Sequence, residues 1–178
     1  FVGSNTTINV NNTDVAVKTT TNYPWEGNVK LNIDPSKKSK FKMYVRIPGW
    51  LSGNAVPGNL YNVVNKSNEK NPVFKLNGKQ VLYAIENGYA VIENNWNKGD
   101  VLEFNFPMKP EKIQANSEVK YDAGRIALQR GPIVYCVEGA DNKEGVWNLI
   151  FPENTSLKPI EYKVLNENVI ALQGELSS

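Results

Sequence analysis

The 178-residue sequence has no histidine and a single cysteine, Cys136. The first absence excludes a Ser-His-Asp triad, a Cys-His pair and any histidine-ligated zinc site within this chain. The second excludes an internal disulfide and a thiolate cluster for a metal. Net charge is also small, because 20 basic side chains against 18 acidic ones leave +2. That balance gives no electrostatic footprint for nucleic acid, although the isoelectric point is near 8.5. No apolar run approaches the roughly 20 residues that a membrane-spanning helix needs, so no membrane insertion is expected. No long stretch repeats apolar residues at helical spacing either. The sequence opens at Phe1 without a methionine or a signal-like segment, which points to a piece of something longer.

What is present is alternation. Val15, Val17 and Thr19 alternate with Ala16, Lys18 and Thr20, and Val29, Leu31 and Ile33 with Lys30 and Asn32. Phe41, Met43, Val45 and Ile47 form one face of a longer run. Period-two patterns of this kind predict strands with one buried and one wetter face. Asn77-Gly78 sits between two such runs, and Asn87-Gly88 and Gly99-Asp100 punctuate the next two. Asn and Gly accept the positive φ angles of a tight hairpin turn. The expected fold class is therefore all-β, an antiparallel β-sandwich followed by part of a second one. Residues 1–110 read as the first module, and 111–178 as a linker with the partial second module. Residues 51–72 read as a long surface excursion and 107–120 as a crossing between modules. The apolar run Ile133 to Val137 suggests a strand buried on both faces, with Cys136 packed inside it as a small hydrophobe. Lys37, Lys38 and Lys40 read as a solvated hairpin tip.

Few side chains offer chemistry. Glu26, Asp100, Glu138, Asp141 and Glu144 are the carboxylates near structured segments. A glycosidase needs two carboxyls facing each other roughly 5 to 9.5 Å apart. Asp100, directly after Gly99, reads more simply as a turn residue. Asp141-Asn142-Lys143-Glu144 lacks the alternating ligand spacing of a calcium loop. No catalytic residue and no metal ligand is assigned. Trp25, Trp50, Trp96 and Trp147 all lie beside turn residues, where a tryptophan can plug the end of a sandwich core or stack on a sugar ring. Trp147, Trp50 and Trp96 are the candidate carbohydrate-binding residues.

Several segments, in order, carry a more specific signal. They are Thr21-Asn22-Tyr23-Pro24-Trp25-Glu26-Gly27, Arg46-Ile47-Pro48-Gly49-Trp50, Leu76-Asn77-Gly78, Asn87-Gly88-Tyr89 and Trp96-Asn97-Lys98-Gly99-Asp100. The last runs from Gly124 through Arg130-Gly131-Pro132 to Glu138. This series, between about residues 20 and 140, resembles the C-terminal part of glycoside hydrolase family 127, typified by β-L-arabinofuranosidases. The resemblance implies an (α/α)6 catalytic barrel placed before β-sandwich modules. It assigns the cysteine nucleophile, the zinc and the acid/base glutamate to that barrel, outside this chain. Cys136 belongs to a sandwich motif and is not that nucleophile.

The leading expectation is a non-catalytic accessory portion of a larger glycoside hydrolase, with no cofactor of its own. Its partners would be the catalytic barrel of the same parent chain, plant-type glycans and a second copy in a homodimer. The alternatives are a free-standing carbohydrate-binding module using exposed tryptophans and a structural adhesion-like domain. A chain that normally packs on a barrel should expose apolar surface. The lone cysteine and the Asn/Thr-rich strands are compatible with a bacterial periplasm or the cell exterior.

Overall fold

A computed structural model describes residues 1–53, 56, 58–64, 71–142, 145–152 and 154–175. Among them the chain is built from strands, with only short 3₁₀ turns between. The first strands are β1 (Ser4–Val10), β2 (Thr13–Thr21), β3 (Asn28–Pro35), β4 (Ser39–Arg46) and β5 (Tyr61–Val63). Then come β6 (Val73–Leu76), β7 (Lys79–Val81), β8 (Ala84–Glu86), β9 (Tyr89–Trp96) and β10 (Asp100–Asn105). Last are β11 (Pro110–Ala115), β12 (Ile126–Arg130), β13 (Ile133–Tyr135), β14 (Lys158–Val164) and β15 (Glu167–Gln173). They fall into two compact units, Phe1–Asn54 with Ser67–Met108, and Ala55–Lys66 with Lys109–Ser178.

In the first unit a six-stranded antiparallel sheet, ordered β1-β2-β3-β10-β6-β7, and a three-stranded sheet, β4-β9-β8, share one core. Alternation decides which side chains enter it. Val29, Leu31 and Ile33 of β3 are buried while Asn28 and Lys30 face water. Register places Leu102 opposite Leu31 and Leu76, and Phe104 opposite Val29 and Phe74, so three strands line one greasy face. Phe41, Val45, Ala90, Ile92 and Trp96 answer from the smaller sheet. Aromatic edges close the packing, with Phe74 and Phe104 at 4.9 Å and Phe104 and Phe106 at 5.2 Å between ring centroids.

Local chemistry explains the turns. Asn77 and Gly78 have φ of 50° and 77°, and Asn87 and Gly88 have 49° and 79°. These left-handed values are what Asn and Gly tolerate and other residues resist. Asp100 then anchors the first of these hairpins. It accepts from Asn77 Nδ2 at 2.9 Å and from the Asn97 backbone N–H at 2.8 Å, while Asn77 Oδ1 accepts from Val101 N–H at 2.9 Å.

Two sequence expectations change in and around this unit, at Lys37–Lys38 and at residues 51–72. Strand β1 is almost wholly exposed and has no buried face to announce it. It is held by its register with β2 through Asn11 and Asn12, both at positive φ. The Lys37–Lys38 segment is no hairpin tip, because β3 and β4 belong to different sheets and the chain crosses between them there. The 51–72 excursion is more than a loop. It supplies β5, which pairs with β11 in the second unit.

The second unit holds a four-stranded sheet, β13-β12-β11-β5, and the two-stranded β14-β15. Strand β11 lies inside the segment expected to be a crossing. It carries one large buried side chain, Ile113, so alternation was too weak to show, and Pro110 occupies its first position, where a missing N–H is tolerated. The run from Ile133 is not buried on both faces. β13 is three residues long, lies at the sheet edge, and leaves Val134 at 68% exposure. Cys136, just past its end, is exposed rather than packed. Tyr135 ties this edge to the hairpin by donating from its hydroxyl to the Ile170 carbonyl at 2.9 Å.

Candidate functional site

The ordered motifs spend their residues on one another. Between β2 and β3, Thr21 Oγ1 donates to the Asn28 carbonyl at 2.7 Å and accepts from Tyr23 N–H at 3.0 Å. The Trp25 and Glu26 N–H groups both donate to the Asn22 carbonyl. Gly27 lies flat against the backbone at Phe106, where a Cβ would run into the Phe106 carbonyl. Trp50 donates from Nε1 to the Tyr23 hydroxyl at 3.3 Å, which joins the second motif to the first. Arg46 reaches over Gly88 and stacks 5.4 Å from the Tyr89 ring centroid, joining the second motif to the fourth. In the second unit, buried Gln129 donates to the Gly131 carbonyl at 2.8 Å. The proline and glycine positions therefore set loops that interlock.

The candidate carbohydrate-binding tryptophans separate sharply. Trp96 is fully buried, stacks on Phe41 at 5.5 Å and donates to the Phe41 carbonyl at 2.9 Å. It has no ring face left for a ligand, so the structure corrects that assignment to a core residue. Trp50 is half-buried, packs edge-on to Phe106 and has its N–H engaged by Tyr23. Trp25 is likewise half-buried. Trp147 is different. It is 78% exposed, with the Arg125 guanidinium 4.6 Å from its ring centroid.

Among the described residues the candidate carboxylates have separate partners. Asp100 is buried and committed to the turn described above. Glu26 accepts from Asn22 Nδ2 at 3.3 Å. Glu138 is exposed. Glu144 and the Asp141 side chain lie outside the described residues. Among the described residues no group of three or more Cys, Asp or Glu side chains could hold a metal. One feature escaped the sequence. The outer face of the six-stranded sheet forms an open concavity of about 640 Å³, with Thr20, Glu26, Lys30, Lys75 and Glu103 on its wall. Its Lys30–Glu103 pair, 3.8 Å apart, is roughly half-exposed on both sides and contributes little in water. Register could have revealed this face, since Thr20, Lys30, Glu103 and Lys75 stand opposite one another across four strands.

Titration is perturbed at a few places. The 2.8 Å contact between Lys40 and Glu93 raises the lysine and lowers the glutamate, through hydrogen bonding first and charge second. Tyr61 is raised by its hydrogen bond to Asp122, at 3.1 Å. Burial raises Tyr83, and it raises Tyr135 against the opposing charge of Arg130.

The chain is two β-sheet units, and in the first the distinctive residues bond to one another. Comparison with known proteins gives the family. The family model described as "Beta-L-arabinofuranosidase, GH127 middle domain" matches residues 1–108. The model for the "Glycoside hydrolase family 127 C-terminal domain" matches residues 110–170. The chain belongs to glycoside hydrolase family 127. It is 32% identical over 139 residues to a non-reducing end β-L-arabinofuranosidase of Bifidobacterium longum, a match covering 75% of this chain and 18% of that protein. Among solved structures, a GH127 β-arabinofuranosidase superposes with a TM-score of 0.88 at 33% identity, over 99% of this chain and 27% of that one. A GH127 β-L-arabinofuranosidase from Geobacillus stearothermophilus gives 0.81 at 34% identity, over 97% and 25%. The chain thus spans about a quarter or less of the length of these relatives.

Proposed function

We propose that this chain is the accessory β-portion of a longer family 127 glycoside hydrolase, and that it braces a catalytic barrel carrying the reactive groups. The observation that carries the reading is order. A middle-domain match is followed directly by a C-terminal-domain match. The absence of histidine from the sequence, the interlocked motifs and the lack of paired carboxylates among the described residues support it. The free-standing carbohydrate-binding module is not favoured, because the two matches between them run from residue 1 to 170 as parts of a larger architecture. On this reading the zinc, the nucleophile and the acid/base residue belong to the barrel. A plant-type glycan is the substrate of the longer protein, and a homodimer forms through the exposed apolar faces.

Exposed apolar side chains fit a surface that is covered in a larger assembly. Leu82, Tyr121 and Leu165 are each more than 90% exposed. Single exposed residues mean little, but a chain with this many is suited to a partner. The test is hydrolysis of an aryl β-L-arabinofuranoside. The 178-residue chain alone is expected to give no turnover above buffer, and the longer protein to turn the substrate over. Turnover by the chain alone overturns the proposal.

A further inference from the structure

One cation–aromatic pair in the second unit, Arg125 on Trp147, is not explained by core packing. Trp147 sits in the 3₁₀ turn Val146–Asn148, entered through Gly145 at φ 84°. The Asn142 carbonyl closes that entry by accepting from Gly145 N–H at 2.9 Å. Arg125 lies just before β12, and its backbone N–H donates to the Asp122 carbonyl at 3.1 Å. The Asp122 carboxylate in turn accepts from the hydroxyl of Tyr61, the first residue of β5, at 3.1 Å. The arginine is therefore tethered to two strands of the four-stranded sheet, and its guanidinium lies over the indole at 4.6 Å. A cation held there fixes the plane of the ring.

With one face carrying the guanidinium and the side chain still 78% exposed, the opposite indole face is open to water. An indole held open in this way gives up the burial that usually makes tryptophan stabilising. The exposed Asn148 follows it in the chain and the charged Arg125 lies against it, whereas a protein-binding hot spot is ringed by groups that exclude water. A flat apolar face backed by a charged, hydrogen-bonding guanidinium is complementary to a sugar ring, which has an apolar C–H face and a polar rim.

We propose that Trp147 is the contact residue of a sugar-binding site on the second unit, stacking on one ring of a neutral oligosaccharide, and that Arg125 is its positioning residue. The site goes beyond the accessory reading and does not depend on it, because it requires no catalytic domain.

The test follows the indole N–H resonances of the 178-residue chain by NMR while a short neutral arabino-oligosaccharide is added, with an oligogalacturonate as a parallel arm. The expected result is a saturable shift of the Trp147 signal at millimolar neutral sugar, with Trp96 and Trp50 unmoved. Trp147→Ala, at an exposed position that leaves the other signals in place, abolishes the response. Arg125→Ala weakens binding by about threefold or more, and Arg125→Lys, which keeps a cation but not the planar stack, falls between. The proposal is overturned by no saturable shift, by a response to the oligogalacturonate alone, or by a response that survives Trp147→Ala. An unchanged affinity in Arg125→Ala removes the positioning role.

Discussion

The two units use similar strands to opposite effect. The first encloses its apolar residues between two sheets, and every buried hydrophobic side chain among the described residues belongs to it except Val63 and Ile113. The second has sheets of four and two strands and leaves Val134, Val137, Ile150, Tyr162, Val164 and Leu165 exposed. A two-stranded ribbon is marginal by itself, since it has no second layer to bury its face against. Buried apolar packing is therefore concentrated in the first unit.

Breaking the first unit should therefore have the largest effect. Trp96→Ala removes a fully buried ring, its stack on Phe41 and its bond to the Phe41 carbonyl. A loss of about 3–5 kcal/mol is expected in chemical denaturation of the first unit. Gly27→Ala comes next at about 1–3 kcal/mol, because the new methyl meets backbone at Phe106 that cannot step aside. In the second unit Tyr135→Phe deletes one hydrogen bond, to Ile170, and should cost about 1 kcal/mol, read as faster hydrogen exchange in β15.

Alkali should sharpen the contrast more gently. Tyr83 in the first unit, and Tyr61 and Tyr135 in the second, have folded-state pKa values raised above 10.0. The folded state holds these protons more tightly than the unfolded one. Their contribution is complete below the ordinary tyrosine pKa and is lost as pH rises through the raised values. Thermal scans between neutral pH and strong alkali should show a falling midpoint on that side only. Val134→Ala should do least, within about 0.5 kcal/mol, since the side chain is mostly in water. A larger loss would mean that the second unit's outer face is already covered in solution.

How much of this was legible in the sequence follows the same division. The strands of the first unit's core announce themselves, because Val29, Leu31 and Ile33 must alternate with polar residues to bury one face. Asn77-Gly78 and Asn87-Gly88 were readable because few other residues adopt their φ angles. Strands without a buried face were not. β1 is exposed along nearly its whole length, and β11 has one large buried residue, so pairing with a neighbour rather than their own composition makes them strands. Cys136 misled for a related reason, since an apolar run implies burial only where something covers it. At the candidate site, similar turn contexts left three of the four tryptophans, Trp147, Trp50 and Trp96, as candidates together. Only packing separates Trp96, sealed against Phe41, from Trp147, held open by Arg125.

The most direct test is hydrogen–deuterium exchange of this chain alone and of the same residues within the longer protein. Slower exchange is expected across the second unit's sheet and hairpin in the longer protein, with β9 and β10 of the first unit's core unchanged. Identical exchange in both settings would contradict it, because a brace that touches nothing braces nothing.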